Sequence, residues 1–322
     1  MFDVITIGDA TFDTFFVIDN DSPQCHLNKD KTQLCLNYAD KISLTSVGQS
    51  AGGNAANVAV GIKKLGLKTA IVTELGDDMN GLAVEEALTR AHVDTRLIHI
   101  RKNHQTRFSV VLNYRGERTI LSYHANRTYV LPSLPQTKWI YYTSLGKTFE
   151  RLQEKLIALK KRRPEIKIAA NPGSYQLRYG LAHFKKILPH ADILFVNKEE
   201  AAKIIGKRQP LKATMHSLHR LGPKLVLMTD GMRGSFGSDG RQIYTMPIFP
   251  ITPTGKTGAG DAFASGFLTA HVLGKSLEEA LRWGTANSTG VIQQVGAQRG
   301  LQTKAGIQTL LKKFNTTKPV AI

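Results

Sequence analysis

The sequence has few cysteines, fewer acidic than basic residues and no long apolar run. Its two cysteines, Cys25 and Cys35, form no CxxC pair, so neither a disulfide framework nor a cysteine-rich metal site is predicted. No apolar stretch approaches the roughly 18 residues that cross a bilayer, which excludes an integral membrane protein. The N-terminus carries acids where a signal peptide carries basic residues. These absences predict a cytoplasmic protein without a membrane partner.

The shortage of acids gives the chain a formal charge of +18, from 43 basic and 25 acidic residues. Such a charge suggests nucleic acid, an anionic membrane surface or anionic small molecules as partners. The one four-residue basic run, residues 160–163, precedes Pro164 at the end of a predicted helix, where cations complement the helix dipole. The other basic residues are dispersed and are not interleaved with aromatic ones. The pattern therefore favours a diffuse surface charge over a nucleic-acid-binding surface.

Strand and helix patterns alternate along most of the chain. Because this rhythm is typical of crossover units, it predicts an α/β fold with a mostly parallel sheet and helices on both faces. The predicted strands are Phe2–Gly8, Thr69–Glu74, Trp139–Thr143, Ile166–Ala170, Asp192–Asn197 and Leu225–Thr229. The predicted helices are Asn54–Leu65, Met79–Ala91, Ala259–Val272, Leu277–Gln294 and Lys304–Phe314, followed by a frayed tail.

Two segments, about 11–48 and 106–123, interrupt this rhythm with extended patterns and predict a small β-subdomain within a single domain of residues 1–322. Alternation over 106–113 places Arg107, Ser109 and Asn113 on one polar face. Tyr114–Glu117 then predicts a hairpin turn. The polar face is explained either by contact with a substrate or by an exposed edge strand.

The strongest local motif is TGAGDAF at residues 257–263, which starts a predicted helix. Small residues let a phosphate approach the backbone, and the first N–H groups of the helix point toward it. In that first turn, the Asp261 carboxylate can accept a proton from a substrate hydroxyl. Alternatively, Asp261 only complements the helix dipole.

Two better-known phosphate loops are excluded. A Walker A loop ending at Gly255-Lys256-Thr257 needs a glycine where Pro250 stands. A dinucleotide fingerprint beginning at Gly258 needs a small residue where Phe263 stands. A P-loop NTPase and a Rossmann dehydrogenase are therefore not predicted.

A second glycine-rich block, GGNAAN at residues 52–57, also precedes a predicted helix. Paired glycines allow close backbone approach, and Asn57 offers a donor and an acceptor to a polyhydroxylated ligand. A tight turn capped by Asn54 explains the same residues without a ligand.

Taken in order, five motifs resemble the ribokinase-like (PfkB) family of carbohydrate kinases over about residues 1–300. They are Gly8-Asp9 with Asp13, GGNAAN at 52–57, NKEE at 197–200, TDGMRG at 229–234 and TGAGDAF at 257–263. The resemblance implies a ribokinase-like three-layer sandwich with a mostly parallel central sheet and a small β-sheet lid. It also implies transfer of the ATP γ-phosphoryl group to a hydroxyl of a sugar or nucleoside.

The resemblance also implies roles for individual residues. Asp261 matches the general base, and the backbone of Gly258, Ala259 and Gly260 matches the anion hole. Three further residues, Asp13, Gly53 and Asn57, match positions that hold sugar hydroxyls, and Arg107 joins them as a substrate-binding candidate on the polar face of the small β-subdomain.

The donor side follows from the same resemblance. Asn197 and Glu200 match an NxxE motif that organises Mg²⁺ and phosphate through water. The segment that lines the nucleotide is matched by Thr229, Gly231 and Gly234, while Asn287 falls where helices flank the adenine. The implied cofactors are ATP and Mg²⁺, and the implied lid covers the sugar and mediates homodimerisation.

The sequence departs from the family pattern at Gly255 and Lys256, where many members have the Asp-Thr of a monovalent-cation site. This departure argues against activation by K⁺. The Lys256 ammonium either replaces the bound cation near the phosphates or faces solvent. Asn54, where ribokinases proper often carry lysine, weakens a specifically ribose assignment.

The resemblance thus implies a sugar kinase, and the residues of the two glycine-rich motifs are compatible with it. A nucleoside kinase of the same fold is the nearest alternative, and a kinase fold used only to bind nucleic acid or protein is a more distant one. A sugar that already carries phosphate would fit the positive charge and Arg107.

Overall fold

A large mixed sheet forms the centre of the molecule in the computed structural model, which describes residues 1–123, 127–255 and 257–322. Within these residues the large sheet has nine strands in the order β17-β16-β15-β14-β13-β12-β11-β1-β6. Six neighbouring strands of this sheet run parallel: β14, β13, β12, β11, β1 and β6. Their bounds are β1 Phe2–Ile7, β6 Thr69–Val72, β11 Thr137–Tyr142, β12 Lys167–Ala170, β13 Ile193–Asn197, β14 Leu225–Thr229, β15 Ser235–Ser238, β16 Ile243–Met246 and β17 Val320–Ala321.

Helices cover both faces of the large sheet, as the alternating pattern predicts. One face packs on α3 Phe149–Arg162, α4 Ser174–Tyr179, α5 Leu181–Lys185, α6 Lys198–Ile205 and α7 Leu211–His219. The other packs on α1 Asn54–Lys64, α8 Ala259–Val272, α9 Leu277–Ile292 and α10 Lys304–Lys313. The remaining helix, α2 Met79–Arg90, is capped by Asp78, whose side chain accepts a hydrogen bond from the Gly81 N–H at 2.9 Å. The three-layer α/β arrangement is confirmed.

A second, smaller sheet stands beside this core. Its four strands, counted over the described residues, are ordered β10-β9-β2-β5, with bounds β2 Thr11–Ile18, β5 Leu44–Gly52, β9 Phe108–Tyr114 and β10 Glu117–Tyr123. We call it the small sheet. Arg115 and Gly116 both have positive φ, of 49° and 79°, and form the predicted hairpin turn between β9 and β10. Two further pairs are short: β3 Cys25–Leu27 with β4 Leu34–Leu36, and β7 Glu74–Gly76 with β8 His99–Arg101.

Two sequence predictions are wrong at the edges of the large sheet. The strand predicted over 69–74 divides after Val72, because Glu74–Gly76 turns away to pair with β8. The tail predicted to fray instead forms β17, which pairs with β16 through Val320 and Thr245. Pairing with an edge strand supplies backbone hydrogen bonds that a short segment lacks alone. The periodicity of the sequence does not indicate such a pairing between distant segments.

No helix among the described residues has the length and apolar character needed to cross a bilayer.

Candidate functional site

A cleft opens where the parallel strands of the large sheet end. Asn171 follows β12, Asn197 ends β13 and Thr229 ends β14, so three neighbouring strands deliver polar side chains to one edge. The first turn of α8 closes the opposite side around a cavity of about 280 Å³. Crevices at the carboxyl ends of parallel strands are where α/β proteins bind ligands.

Asp261 lies at the centre of this cleft, in the first turn of α8, with 9% of its surface exposed. Asn57 Nδ2 donates to its Oδ2 at 2.8 Å and Asn54 Nδ2 donates to its Oδ1 at 3.1 Å. Burial raises the pKa of Asp261 to about 7; the two amides oppose this rise, and the Glu200 and Asp13 carboxylates add to it. A carboxylate with this pKa is suited to accept a proton near neutral pH.

The backbone beside Asp261 has an open concave surface. Gly258 caps α8 in the left-handed conformation, with φ 79°, and a Cβ there would lie 2.6 Å from the Ala297 Cβ. A Cβ on Gly260 would meet no atom within 4 Å, so that position faces open space. The first N–H groups of α8 have no acceptor within the helix. The backbone of residues 258–261 therefore provides a place for an anion next to Asp261, and we call it the cradle.

Asp13 marks the other end of the site. It lies on β2, where Thr11 Oγ1 donates to its Oδ1 at 3.0 Å, and burial raises its pKa. A Cβ added to Gly52 would overlap the Asp13 carboxylate, and Gly53 has φ 89°. The glycine pair therefore lets the start of α1 approach a buried carboxylate, as close backbone approach to a ligand requires.

A hydrogen-bond chain orients the amide of Asn57. Gln298 Nε2 donates to Asn57 Oδ1 at 2.9 Å, which leaves Asn57 Nδ2 to donate to Asp261. Gln298 was absent from the sequence predictions, because it lies in a loop that carries no motif.

Asn197 and Glu200 form a capping box at the start of α6. Asn197 Oδ1 accepts from the Glu200 N–H and Glu200 Oε2 accepts from the Asn197 N–H, both at 2.8 Å. Glu200 Oε1 has no hydrogen-bond partner among the described residues, and both side chains line the cleft. Burial raises the pKa of Glu200.

This arrangement fits a sparsely ligated metal ion. Over residues 1–123, 127–255 and 257–322, no group of three or more His, Cys, Asp or Glu side chains forms a metal site. One carboxylate oxygen in a cavity that also contains the N-terminus of α8 matches the way Mg²⁺ binds, mainly through water and phosphate oxygens.

The predicted nucleotide segment lines a neighbouring cavity of about 160 Å³. Thr229, Gly231 and Gly234 contribute to it, and both glycines have positive φ, of 54° and 86°. This smaller cavity shares four lining residues with the cleft around Asp261, namely Thr229, Ala259, Gly260 and Phe263. A base and its phosphates thus have one continuous path.

Asn287 does not line this path, contrary to the sequence prediction. Its Nδ2 donates to the Ala262 carbonyl at 2.9 Å and to Ser265 Oγ at 3.0 Å, and its Oδ1 accepts from the Gln302 N–H at 2.8 Å. The side chain is fully buried. The residues of α9 that line the cavity are instead Thr285, Ser288, Thr289 and Ile292.

Arg107, the substrate-binding candidate, has a charged partner within the protein. It is 7% exposed and forms an ion pair with Asp9, whose Oδ1 accepts from the Tyr129 hydroxyl at 3.0 Å. Arg107 directly precedes β9, which lies between β2 and β10, so the alternative of an exposed edge strand is wrong. The guanidinium instead anchors the small sheet to the end of β1. Lys256, the other predicted cation, lies outside the described residues.

Two polar residues that line the cleft were missing from the site residues predicted from the sequence. Asn171 stands in Asn-Pro-Gly directly after β12, and its position at the end of a parallel strand was the available signal. Arg118 comes from β10, and only the pairing register of the small sheet reveals the face that it occupies.

Comparison with known proteins gives a consistent result. A sequence profile described as "pfkB family carbohydrate kinase" matches residues 17–304. The chain is 24% identical over 309 residues to an ATP-dependent 6-phosphofructokinase of Thermoanaerobacterium thermosaccharolyticum, covering 92% of this chain and 89% of the relative. It is 26% identical over 260 residues to a nucleoside kinase of Methanothermobacter thermautotrophicus, covering 78% and 81%.

The fold is likewise similar to solved structures. The structure of Arabidopsis thaliana ribokinase complexed with ribose and ATP superposes with a TM-score of 0.78 at 23% identity. The match covers 97% of this chain and 99% of that one.

Proposed function

The chain belongs to the pfkB family of carbohydrate kinases, and on that premise we propose that Asp261 is the base for phosphoryl transfer from ATP to a sugar hydroxyl. One observation carries the proposal. A buried carboxylate, with its pKa raised to about 7, lies next to the open backbone of Gly260 at a helix N-terminus. General base and phosphoryl cradle are thereby adjacent, as in-line transfer requires.

The transfer breaks one bond and forms another. The acceptor oxygen bonds to the γ-phosphorus while the bond from that phosphorus to the β–γ bridging oxygen breaks, and ADP leaves. Asp261 takes the hydroxyl proton, because its two oxygens are held in place by Asn54 and Asn57. The first N–H groups of α8 stabilise the charge on the transferred phosphoryl.

We assign the metal-organising role to Glu200, through its unengaged Oε1, with Asn197 fixing its orientation. When bound, Mg²⁺ would neutralise charge on the donor phosphates. The capping box holds the Glu200 carboxylate at the cleft whether or not the ion is present.

Asp13 supports a polyhydroxylated acceptor. Its carboxylate can accept hydrogen bonds from hydroxyl groups, and the glycine pair lets the start of α1 lie close to it. A nucleoside carries the same hydroxyls on its ribose, and a similar relative is named a nucleoside kinase. The sugar and nucleoside alternatives therefore differ in what lies beyond the ring.

The small sheet is proposed to act as a lid that excludes water from the transfer. The edge strand β10 leaves Leu121 and Tyr123 56% and 43% exposed on the face away from the cleft. We propose that this apolar face also supports a homodimer. Sedimentation velocity tests it: Leu121→Lys should convert a dimer to a monomer, whereas a monomeric unmodified protein contradicts it.

An acceptor panel tests the function. Purified protein with ATP and Mg²⁺ is assayed against pentoses, hexoses, their phosphates and nucleosides, and at least one should be phosphorylated. Asp261→Asn should reduce turnover by at least about 10³-fold, with the remote Asp94→Asn as control. Near-normal turnover in Asp261→Asn would refute the assigned base, and phosphorylation of no acceptor would refute the kinase.

A further inference from the structure

The cleft-facing side of the small sheet carries three rows of side chains. Because residues paired across strands share a face, the register defines each row. The first row is polar, the second is largely apolar, and the third ends in a cation. They are Ser50, Asp13, Ser109 and Ser122; Gly48, Phe15, Val111 and Ile120; and Ser46, Val17, Asn113 and Arg118.

Arg118 stands at the corner of this surface nearest the phosphate cradle. It lines the cleft cavity together with Gly258, Gly260, Asp261 and Glu200. Among the described residues that line the cavity, it alone comes from the small sheet, and it alone is a cation. The cavity is therefore lined both by the N-terminus of α8 and by a cation from the small sheet.

The guanidinium of Arg118 makes no hydrogen bond and no ion pair across the described residues. Its side chain is exposed toward the cleft, yet the surrounding protein desolvates it enough to lower its pKa from the ordinary value. The charge of the neighbouring Glu117 opposes that lowering without reversing it. An exposed cation without a close partner in the protein is available to an anionic ligand in the cavity that it lines.

The residues that line the cavity indicate which anion Arg118 would bind. Arg118 shares its cavity with the phosphate cradle and with Glu200, whereas Asp13 lies outside that lining. An anion held there occupies the transfer position and not the far end of the acceptor. The terminal phosphoryl group of the donor is the ligand that meets this description.

We propose that Arg118 binds the transferred phosphoryl group from the small-sheet side, and so makes transfer depend on the position of that sheet. The inference rests on the proposed function. The phosphoryl group is then held between the N–H groups of α8 and a guanidinium that remains protonated throughout. Arginines that stabilise a transferring phosphoryl group raise kcat by about 10³–10⁵-fold.

The test compares Arg118→Ala, Arg118→Lys and Arg115→Ala. Arg115 lies in the turn of the same hairpin, where its side chain donates to the Asn20 carbonyl. It does not line the cleft cavity that Arg118 shares with Asp261. Arg118→Ala should lower kcat at least about 100-fold with the acceptor KM nearly unchanged, and Arg118→Lys should lose less. Added guanidinium should partly restore Arg118→Ala, while Arg115→Ala stays within about two-fold of the unmodified protein.

Nucleotide binding gives a second readout that needs no turnover. Isothermal titration with Mg²⁺ compares ADP with the β,γ-imido analogue of ATP. Arg118→Ala should weaken the analogue about ten-fold and leave ADP unchanged, because only the analogue carries the terminal phosphoryl.

Two results overturn the proposal. One is an Arg118→Ala variant in which neither kcat nor the affinity for the β,γ-imido analogue of ATP changes. The other is a rise confined to the acceptor KM, which would place the anion on the acceptor. If the unmodified protein phosphorylates no acceptor, the proposed function fails, while the titration still decides whether Arg118 binds a terminal phosphoryl group.

Discussion

Replacing Asp261 with asparagine should make the fold increasingly stable, relative to the unmodified protein, as pH rises toward 8, and should also abolish turnover. The carboxyl is buried, and its pKa of about 7 in the fold lies above the ordinary value of 3.8. Between these two values the folded protein holds a proton that the unfolded chain has released. The free energy of unfolding therefore falls as pH rises from about 4 to about 7, and is constant above.

The magnitude follows from the size of the shift. At about 1.4 kcal/mol per pKa unit, moving from 3.8 to about 7 costs the ionised fold about 4 kcal/mol. About 3 kcal/mol of this lies between pH 5 and pH 8. The amide introduced by Asp261→Asn does not titrate, so the stability of this variant relative to the unmodified protein should rise by that amount over the same range. Hydrogen bonds altered by the amide shift the whole curve but not its slope.

Urea unfolding at pH 5, 6, 7 and 8 measures the effect without ligands. The fluorescence of Trp139 and Trp283 reports unfolding, because both indoles are buried. Asp94→Asn is the matched control, since the Arg96 side chain lowers the pKa of Asp94 and its titration lies below this range. A stability difference for Asp261→Asn that does not change between pH 5 and pH 8 would show that Asp261 ionises normally, and would remove the basis for a base poised near neutrality.

Three further substitutions separate chemistry from structure. Gly260→Ala should change the free energy of unfolding by no more than about 1 kcal/mol, because its methyl group enters open space. The same methyl group occupies the cradle and should lower turnover at least about ten-fold. Normal turnover would refute the anion-binding role of the cradle. Asn54→Ala should shift the rising limb of the kcat/KM–pH profile to higher pH, by up to about one unit, because Asp261 loses a hydrogen bond that favours its ionised form; a shift to lower pH contradicts this. Asn287→Ala should cost about 2–4 kcal/mol of stability with little change in the KM for ATP; a higher KM at unchanged stability would return this residue to the nucleotide site.

Much of the fold follows from local patterns. The helix over Ala259–Val272 and the strand over Leu225–Thr229 match their predicted bounds, because apolar period and glycine punctuation are strong there. The pairing of Val320 with Thr245 could not be predicted, since an edge interaction between distant short segments leaves no periodic signal.

The site divides in the same way. Asp261 and Gly260 stand in a motif whose chemistry depends on neighbours in sequence, so the local pattern places them correctly at a helix start. Asn287 is wrong as a predicted nucleotide ligand because Ala262, Ser265 and Gln302 bind its polar groups. Arg107 is paired with Asp9, a partner that the sequence pattern did not indicate. Which partner a polar side chain finds is decided by tertiary packing.

The hydrogen bonds around Asp261 also constrain when the site can exist during synthesis. Asn54 and Asn57 precede Asp261 by 207 and 204 positions, and Gln298 follows Asn57 by 241. Contacts so distant in sequence form late in folding, and chains of this size fold through partly structured intermediates. A ribosome-bound chain that has emerged only through β14 has the nucleotide-facing strand ends but no α8. Such a chain has no carboxylate at the cradle, and under the proposed mechanism it should not consume ATP before the last third of the protein has folded.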